Sequence, residues 1–202
     1  MLFGGDRRCA DDWVARHDRL LADAEESDGF IAYTRGELAA EPDPEAALSW
    51  FELAVRRCAE RGHTYNRQVA AIGRAAVLLR MGRSADAAAA CLTLLDELRS
   101  SGMWPQLWTV IRLVAELLVA VDDPRPAAAL LAAADRDPLA PALLGPDRSR
   151  RDRLWERLIA RDAPTGAVPR GRREAVALAM TALDRHVGDR RVGDSRVGDR
   201  RR

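Results

Sequence analysis

The residues of this 202-residue chain that could do chemistry are few, and their spacing does not favour it. His17, His63 and His186 fall at unrelated intervals, with no HExxH pair and no two imidazoles on one helical face, so no metal site is expected. Cys9, Cys58 and Cys91 are odd in number and far apart, and each lies in an apolar helical pattern. They read as buried free thiols of a reducing compartment rather than as a disulfide or a metal site. The seven serines include no GxSxG elbow, and no GxGxxG follows a strand. All 32 basic residues are arginine. A chain without lysine has no Walker A phosphate loop, no Schiff-base amine and no Ser-Lys pair. Asp11-Asp12, Glu25-Glu26 and Asp96-Glu97 are sequence neighbours, which point in different directions on a helix and read as solvated faces. No catalytic residue, cofactor or metal ligand is assigned, and the chain is read as a non-enzyme.

One dense constellation remains, in SGMWPQLWTVIRLVAELL. Trp104, Trp108 and Arg112 recur every four residues and so form one helical stripe, with Leu107 and Ile111 beside it. Two readings are open. The stripe is a partner-binding anchor, since Trp and Arg dominate binding hot spots; or Trp108 fills the core and Arg112 pairs with Glu116. Trp104, at the helix mouth, is the better candidate contact. A weaker candidate is a nucleic-acid surface built from Arg148, Arg150, Arg151, Arg153 and Arg157. The stretch 148–173 holds 9 Arg against 3 acidic residues, but Asp152, Glu156 and Asp162 interrupt it.

The elements that must position these residues are helices. Apolar side chains make up 48% of the chain and aromatic ones 5%, so the core is Leu, Val and Ala. Spacing between Asp6 and Asp135 is helical, without strand-like alternation. Expected inward positions are Trp13, His17, Leu20, Leu21 and Ala24; then Phe30, Tyr33, Thr34 and Leu38; then Ala47, Phe51, Ala54, Val55 and Cys58 behind an Asp43-Pro44 start. Tyr65, Val69, Ile72, Ala76 and Leu79 mark the next helix, ending at Gly82. Ser84 caps another, bearing Ala88, Cys91, Leu92, Leu95 and Leu98; Pro105 opens the Trp helix, and Asp123-Pro124 an Ala-rich one.

These helices repeat. Ala46-Ala47, Ala87-Ala88 and Ala127-Ala128 are spaced by 41 and 40 residues, each just inside a helix that follows a turn. Gly36, Val77 and Leu117 keep the same offsets. Three helix-turn-helix units over about 28–135 predict an all-α, tetratricopeptide-like right-handed solenoid of hairpins with about 40-residue repeats. Beyond them, DPLAPALLG reads as a buried loop. An Arg-dense helix at about 147–162 carries Leu154, Trp155, Leu158 and Ile159 inward. The expected organisation is a lead-in at 1–10, a helical-repeat domain at 11–162, a linker at 163–171, a capping helix at 172–184 and a disordered tail at 185–202. That tail repeats Val-Gly-Asp three times and carries 7 Arg against 3 Asp. The charge runs from an acidic front, 12 acidic residues against 5 Arg over 1–45, to a basic rear. The longest apolar run, Thr109–Val121, contains Arg112 and Glu116 and cannot cross a bilayer; with no secretory signal, a cytoplasmic protein without membrane contact is expected.

Gly102, Trp104, Trp108 and Arg112, with AAALLAAAD, PALLGPD and EAVALAMTAL after them, resemble the C-terminal helical region of multidomain bacterial STAND ATPases and of LuxR-type or AfsR-type transcriptional regulators. The resemblance covers about residues 11–184, with Ile111 where the pattern has Leu. It implies a non-catalytic module that senses a protein partner or small effector in the solenoid groove, detached from the ATPase and DNA-binding domains. The alternative is a nucleic-acid-associated regulator using 148–173 and the arginine tail.

Overall fold

The computed structural model describes residues 29–162 and 166–198, with side chains through Val187, together with residues 8, 9, 12, 15 and 16. From Gly29 onward there are eight helices: α1 (Gly29–Ala39), α2 (Pro44–Glu60), α3 (Thr64–Arg80), α4 (Ser84–Ser101), α5 (Trp104–Ala120), α6 (Pro124–Arg136), α7 (Gly145–Ala160) and α8 (Arg172–Gly198). No strand occurs among the described residues. The fold is all-α. Of the helix expected around Trp13 and His17 only residues 12, 15 and 16 are described, and these are helical; its expected inward positions, like most of the lead-in, lie outside the described residues.

Local chemistry sets the helix boundaries. The Asp43 carboxylate accepts a 3.0 Å hydrogen bond from the Ala46 N–H, and Pro44 follows at the first turn, where its missing donor costs nothing. Ser84 is not the cap expected of it: Arg83 precedes the helix and Ser84 is its first residue. At the other ends the chain enters the left-handed region at Gly62, Gly82, Gly102 and Asp122, one such residue every 20 positions. Around three of these turns the N–H of the residue after the left-handed one reaches back five positions, from His63 to Cys58 (2.8 Å), Met103 to Leu98 (3.2 Å) and Asp123 to Leu118 (2.8 Å). This closure satisfies carbonyls that the helix leaves unpaired. Its recurrence fixes a pitch of one long helix and one tight turn per 20 residues.

The chain divides into two compact units. The first comprises the described residues up to Gly82 with Leu143–Arg150. Within it α1 packs on α2 and α3, and α2 on α3. Its core centres on Phe51, fully buried on α2. Gly36 of α1 and Gly73 of α3 both face that ring: a Cβ at Gly36 would meet Phe51 Cε1 at 2.8 Å, and one at Gly73 at 2.5 Å. Glycine inside a helix costs about 1 kcal/mol against alanine; here it makes room for an aromatic wedge. Tyr33 adds its ring 6.0 Å from that of Phe51.

Burial corrects the expected face of α3. Gln68, Ala70, Ala71, Ala75, Val77 and Leu78 are buried, Val69, Ile72, Ala76 and Leu79 only partly, and Tyr65 is exposed. Small residues face inward because the space beside Phe51 is already filled.

The second unit runs from Arg83 to Ala142 and resumes at Arg151. In it α4 packs on α5, α5 on α6, and α8 on all three. Every residue of α6 from Pro126 to Ala134 is buried, as are ten of the seventeen in α5. A helix apolar all round must be covered on several sides; α5 covers one side of α6 and α8 another. The alanines of the sequence offsets, Ala47, Ala88 and Ala128, are all buried.

Three further expectations change. The loop after α6 is not buried: Leu139 and Leu144 stand in solvent, and so does Ile159 of α7, at 73% exposure. Cys9 is exposed, while Cys58 and Cys91 are buried free thiols. Helix α8 does not stop at Asp184 but continues through Gly198, so the segment expected to be disordered begins as helix. The continuation has an anchor: Arg185 and His186 bind Asp123 at the start of α6.

Candidate partner-binding surface

The Trp-Arg stripe of α5 does not act as one surface. Trp108 is fully buried, in the same turn as Leu107 and Ile111, and its indole N–H finds no acceptor among the described residues. It is a core residue, and its candidacy as a contact is withdrawn. Trp108 heads the largest fully buried side chains, and hydrophobic burial of that volume outweighs one unsatisfied donor.

Arg112 is a strap rather than a free anchor. Its Nη1 donates to the Pro141 carbonyl at 2.8 Å and its Nη2 to the Ala134 carbonyl at 3.5 Å. Ala134 lies in the last turn of α6, where carbonyls lack helical partners and the helix dipole attracts a cation. The same guanidinium therefore ends α6 and holds the proline-rich loop 137–144. Arg161 does the equivalent for α5, donating to the Val119 carbonyl at 2.9 Å.

Trp104 is half-buried at the first turn of α5, and it is occupied from within the chain. The Arg172 guanidinium, at the start of α8, sits 4.0 Å above its ring. Cation–π stacking of this kind is favourable at partly exposed sites. The residue that the sequence marked as the better candidate contact thus already holds a cation.

The five arginines of the nucleic-acid candidate divide between the units. Arg148 and Arg150 belong to the first, and Arg151, Arg153 and Arg157 to the second. Arg151 is committed: it grips Asp135 through Nε and Nη2 (3.0 and 2.8 Å) and Asp152 through Nη1 at 2.7 Å. Those hydrogen bonds raise its pKa further. Arg150 lies 3.8 Å from Asp147. Arg148, Arg153 and Arg157 are exposed.

Several working residues went unassigned in the sequence. Asp135 accepts from Arg151 and from the Trp155 indole N–H at 3.0 Å, tying α7 to α6. A carboxylate at a helix C-terminus opposes the dipole, and that conflict was the available signal for a nearby cation. Asp123 opens α6, as Asp123-Pro124 led one to expect, yet its side chain makes no capping bond and instead holds Arg185 and His186 at 3.2 and 3.3 Å. Partners 62 and 63 residues away leave no trace in local spacing.

Titratable groups inside the units are tuned by burial. Desolvation pushes the Cys91 thiol up to about 12, which keeps it protonated and unreactive. Burial likewise raises Tyr33, with Glu37 adding repulsion, and raises the carboxyl of Glu37. Among the described residues no three His, Cys, Asp or Glu side chains come together to hold a metal ion, and no helix is long and apolar enough to cross a membrane.

Comparison with family models, with curated proteins and with solved structures yields no match.

Proposed function

We propose that this chain is a non-catalytic, protein- or effector-binding helical-repeat module, a tetratricopeptide-like solenoid of about 40-residue hairpins. In this reading it is the sensing arm of a bacterial transcriptional regulator or signalling ATPase, as the resemblance of the Trp helix implies. The observation that carries the repeat is the left-handed turn residue at 62, 82, 102 and 122, which follows four helices of 17 or 18 residues. Buried Ala47, Ala88 and Ala128, near the starts of α2, α4 and α6, support it. Binding hot spots are enriched in tryptophan and arginine, and Trp104, half-buried at the first turn of α5, is the anchor this reading assigns. The test is native mass spectrometry of the chain recovered from its own cells. A partner or effector at defined stoichiometry, lost in Trp104→Ala while its melting curve falls far less than that of Trp108→Ala, is the expected result. A partner retained by that variant would remove Trp104 from the site; turnover of a substrate would overturn the non-catalytic reading.

A second reading, association with nucleic acid, draws on exposed Arg153 and Arg157, one turn apart on α7. It predicts affinity that falls steeply with salt, because each neutralised phosphate releases a counterion. Binding that survives physiological ionic strength would favour it over the scaffold.

A further inference from the structure

We propose that α8 is a strap that opens as a unit while α4, α5 and α6 stay folded, and that opening frees Trp104 and one side of α6. The opening stands on contacts within the second unit; its use as a gate for a partner rests on the reading of Trp104 given above. Three attachments hold α8. At its start Arg172 stacks on Trp104. Along its length it buries Ala175, Val176, Ala179, Ala182 and Leu183. At Arg185 and His186 it is latched to Asp123.

These attachments are weak beside those under them. Three of the five buried side chains are alanine, each contributing one methyl, whereas α5 alone buries Leu107, Trp108, Ile111, Leu117 and Leu118. Apolar stabilisation scales with the area removed from water, so the strap is held far less firmly than α5. Its cationic attachments lie at the edge of solvent, the Arg185 side chain 58% exposed and the Asp123 carboxylate it meets 22%, so their charges are screened in part by salt. The connector preceding α8 is not helical over 166–171 and contains Gly166, Pro169 and Gly171, so α8 can lift without unwinding another helix. Elements with few buried contacts and exposed charge pairs open below the global unfolding free energy.

Hydrogen–deuterium exchange of the full chain tests this without a partner. Amides of 172–187 should exchange at least about tenfold faster than those of α5 and α6, a ratio that corresponds to local rather than global opening. The gap should widen as salt is raised past the point where exposed charges are screened. Asp123→Asn keeps an oxygen at the start of α6 but removes the charge. It should speed exchange in α8 by up to about fivefold, the most an exposed pair supplies, and leave α5 unchanged. Equal protection of α8 and α5 at every salt concentration would show that α8 is integral core and overturn the strap. If α8 opens but no partner depends on Trp104, the strap stands and the binding reading fails. If Trp104→Ala loses a partner while α8 never opens, the strap alone is wrong.

Discussion

By the 40-residue spacing of the turns at Gly62 and Gly102, Phe51 corresponds to Cys91 and Gly73 to Leu113. In the first unit an aromatic ring on α2 is met by glycines on α1 and α3. At the matching offsets of the second unit the large residue sits on α5 and the small one, a buried thiol, on α4. The helix lengths and turns are nearly the same in both regions; the division of volume between neighbouring helices is not. Turn closure fixes the pitch, whereas the core asks only that neighbouring side chains sum to the available space. The second unit is tied by long side chains to distant backbone and carboxylates, through Arg112, Arg151, Arg161 and Arg185. An arginine fork spans such gaps and satisfies carbonyls that a tight turn leaves open.

The comparison breaks most visibly at Gly73. Gly73→Ala forces a Cβ into the Phe51 ring and should cost about 1–3 kcal/mol, despite the better helix propensity of alanine. Adding Phe51→Leu should recover part of that loss in a double-mutant cycle read by urea denaturation, because the ring is what the methyl strikes. Strictly additive losses would mean that the glycine serves the backbone rather than the wedge.

A smaller effect is expected at Glu37. Its folded-state pKa is raised by burial, so the stability associated with the protonated carboxyl is present below the unfolded value near 4.5 and is lost as pH rises through the folded value. Glu37→Gln should therefore melt higher than the parent at neutral pH, with the difference closing toward about pH 4, where both side chains are neutral. A difference that grows on acidification would reverse the sign and place a stabilising ion pair there instead.

The smallest effect is a gain. Asp122 occupies a left-handed conformation (φ +63°) where the preceding turns have glycine. Its contact with Arg161, 3.4 Å, is made by a side chain 85% exposed and contributes little. Asp122→Gly should stabilise the chain by about 0.5–1 kcal/mol, seen as a higher thermal midpoint. A loss would show that the Arg161 pair matters more than the backbone strain.

Helices and their stops were legible in the sequence because they are written locally. Asp43-Pro44 and glycines 62, 82 and 102 mark boundaries through chemistry confined to a few residues. The inward face of α3 was not. Hydropathy points to Val69, Ile72 and Leu79, while the packing beside Phe51 selects Ala71, Ala75 and a glycine. Ile159 and the leucines of the loop 137–144 misled for a related reason: apolar character records what a residue tolerates, and the neighbours decide what it buries. At the candidate surface, spacing correctly put Trp104, Trp108 and Arg112 on one stripe. Their division into half-buried contact, core and strap was hidden, since it depends on Arg172, Pro141 and Ala134, residues 22 to 68 positions away. The extension of α8 past Asp184 was hidden likewise, because Asp123 anchors it from another element.

That division of the stripe is tested most directly by urea denaturation of Trp108→Ala, Arg112→Ala and Trp104→Ala measured side by side. Trp108, fully buried, should lose about 3–5 kcal/mol. Arg112, donating to two carbonyls, should lose about 1–3 kcal/mol. Trp104, half-buried beneath one guanidinium, should lose less than about 1 kcal/mol beyond its own partial burial. A graded series in that order is the predicted result; equal losses at Trp104 and Trp108 would make the whole stripe core and leave α5 without a contact surface.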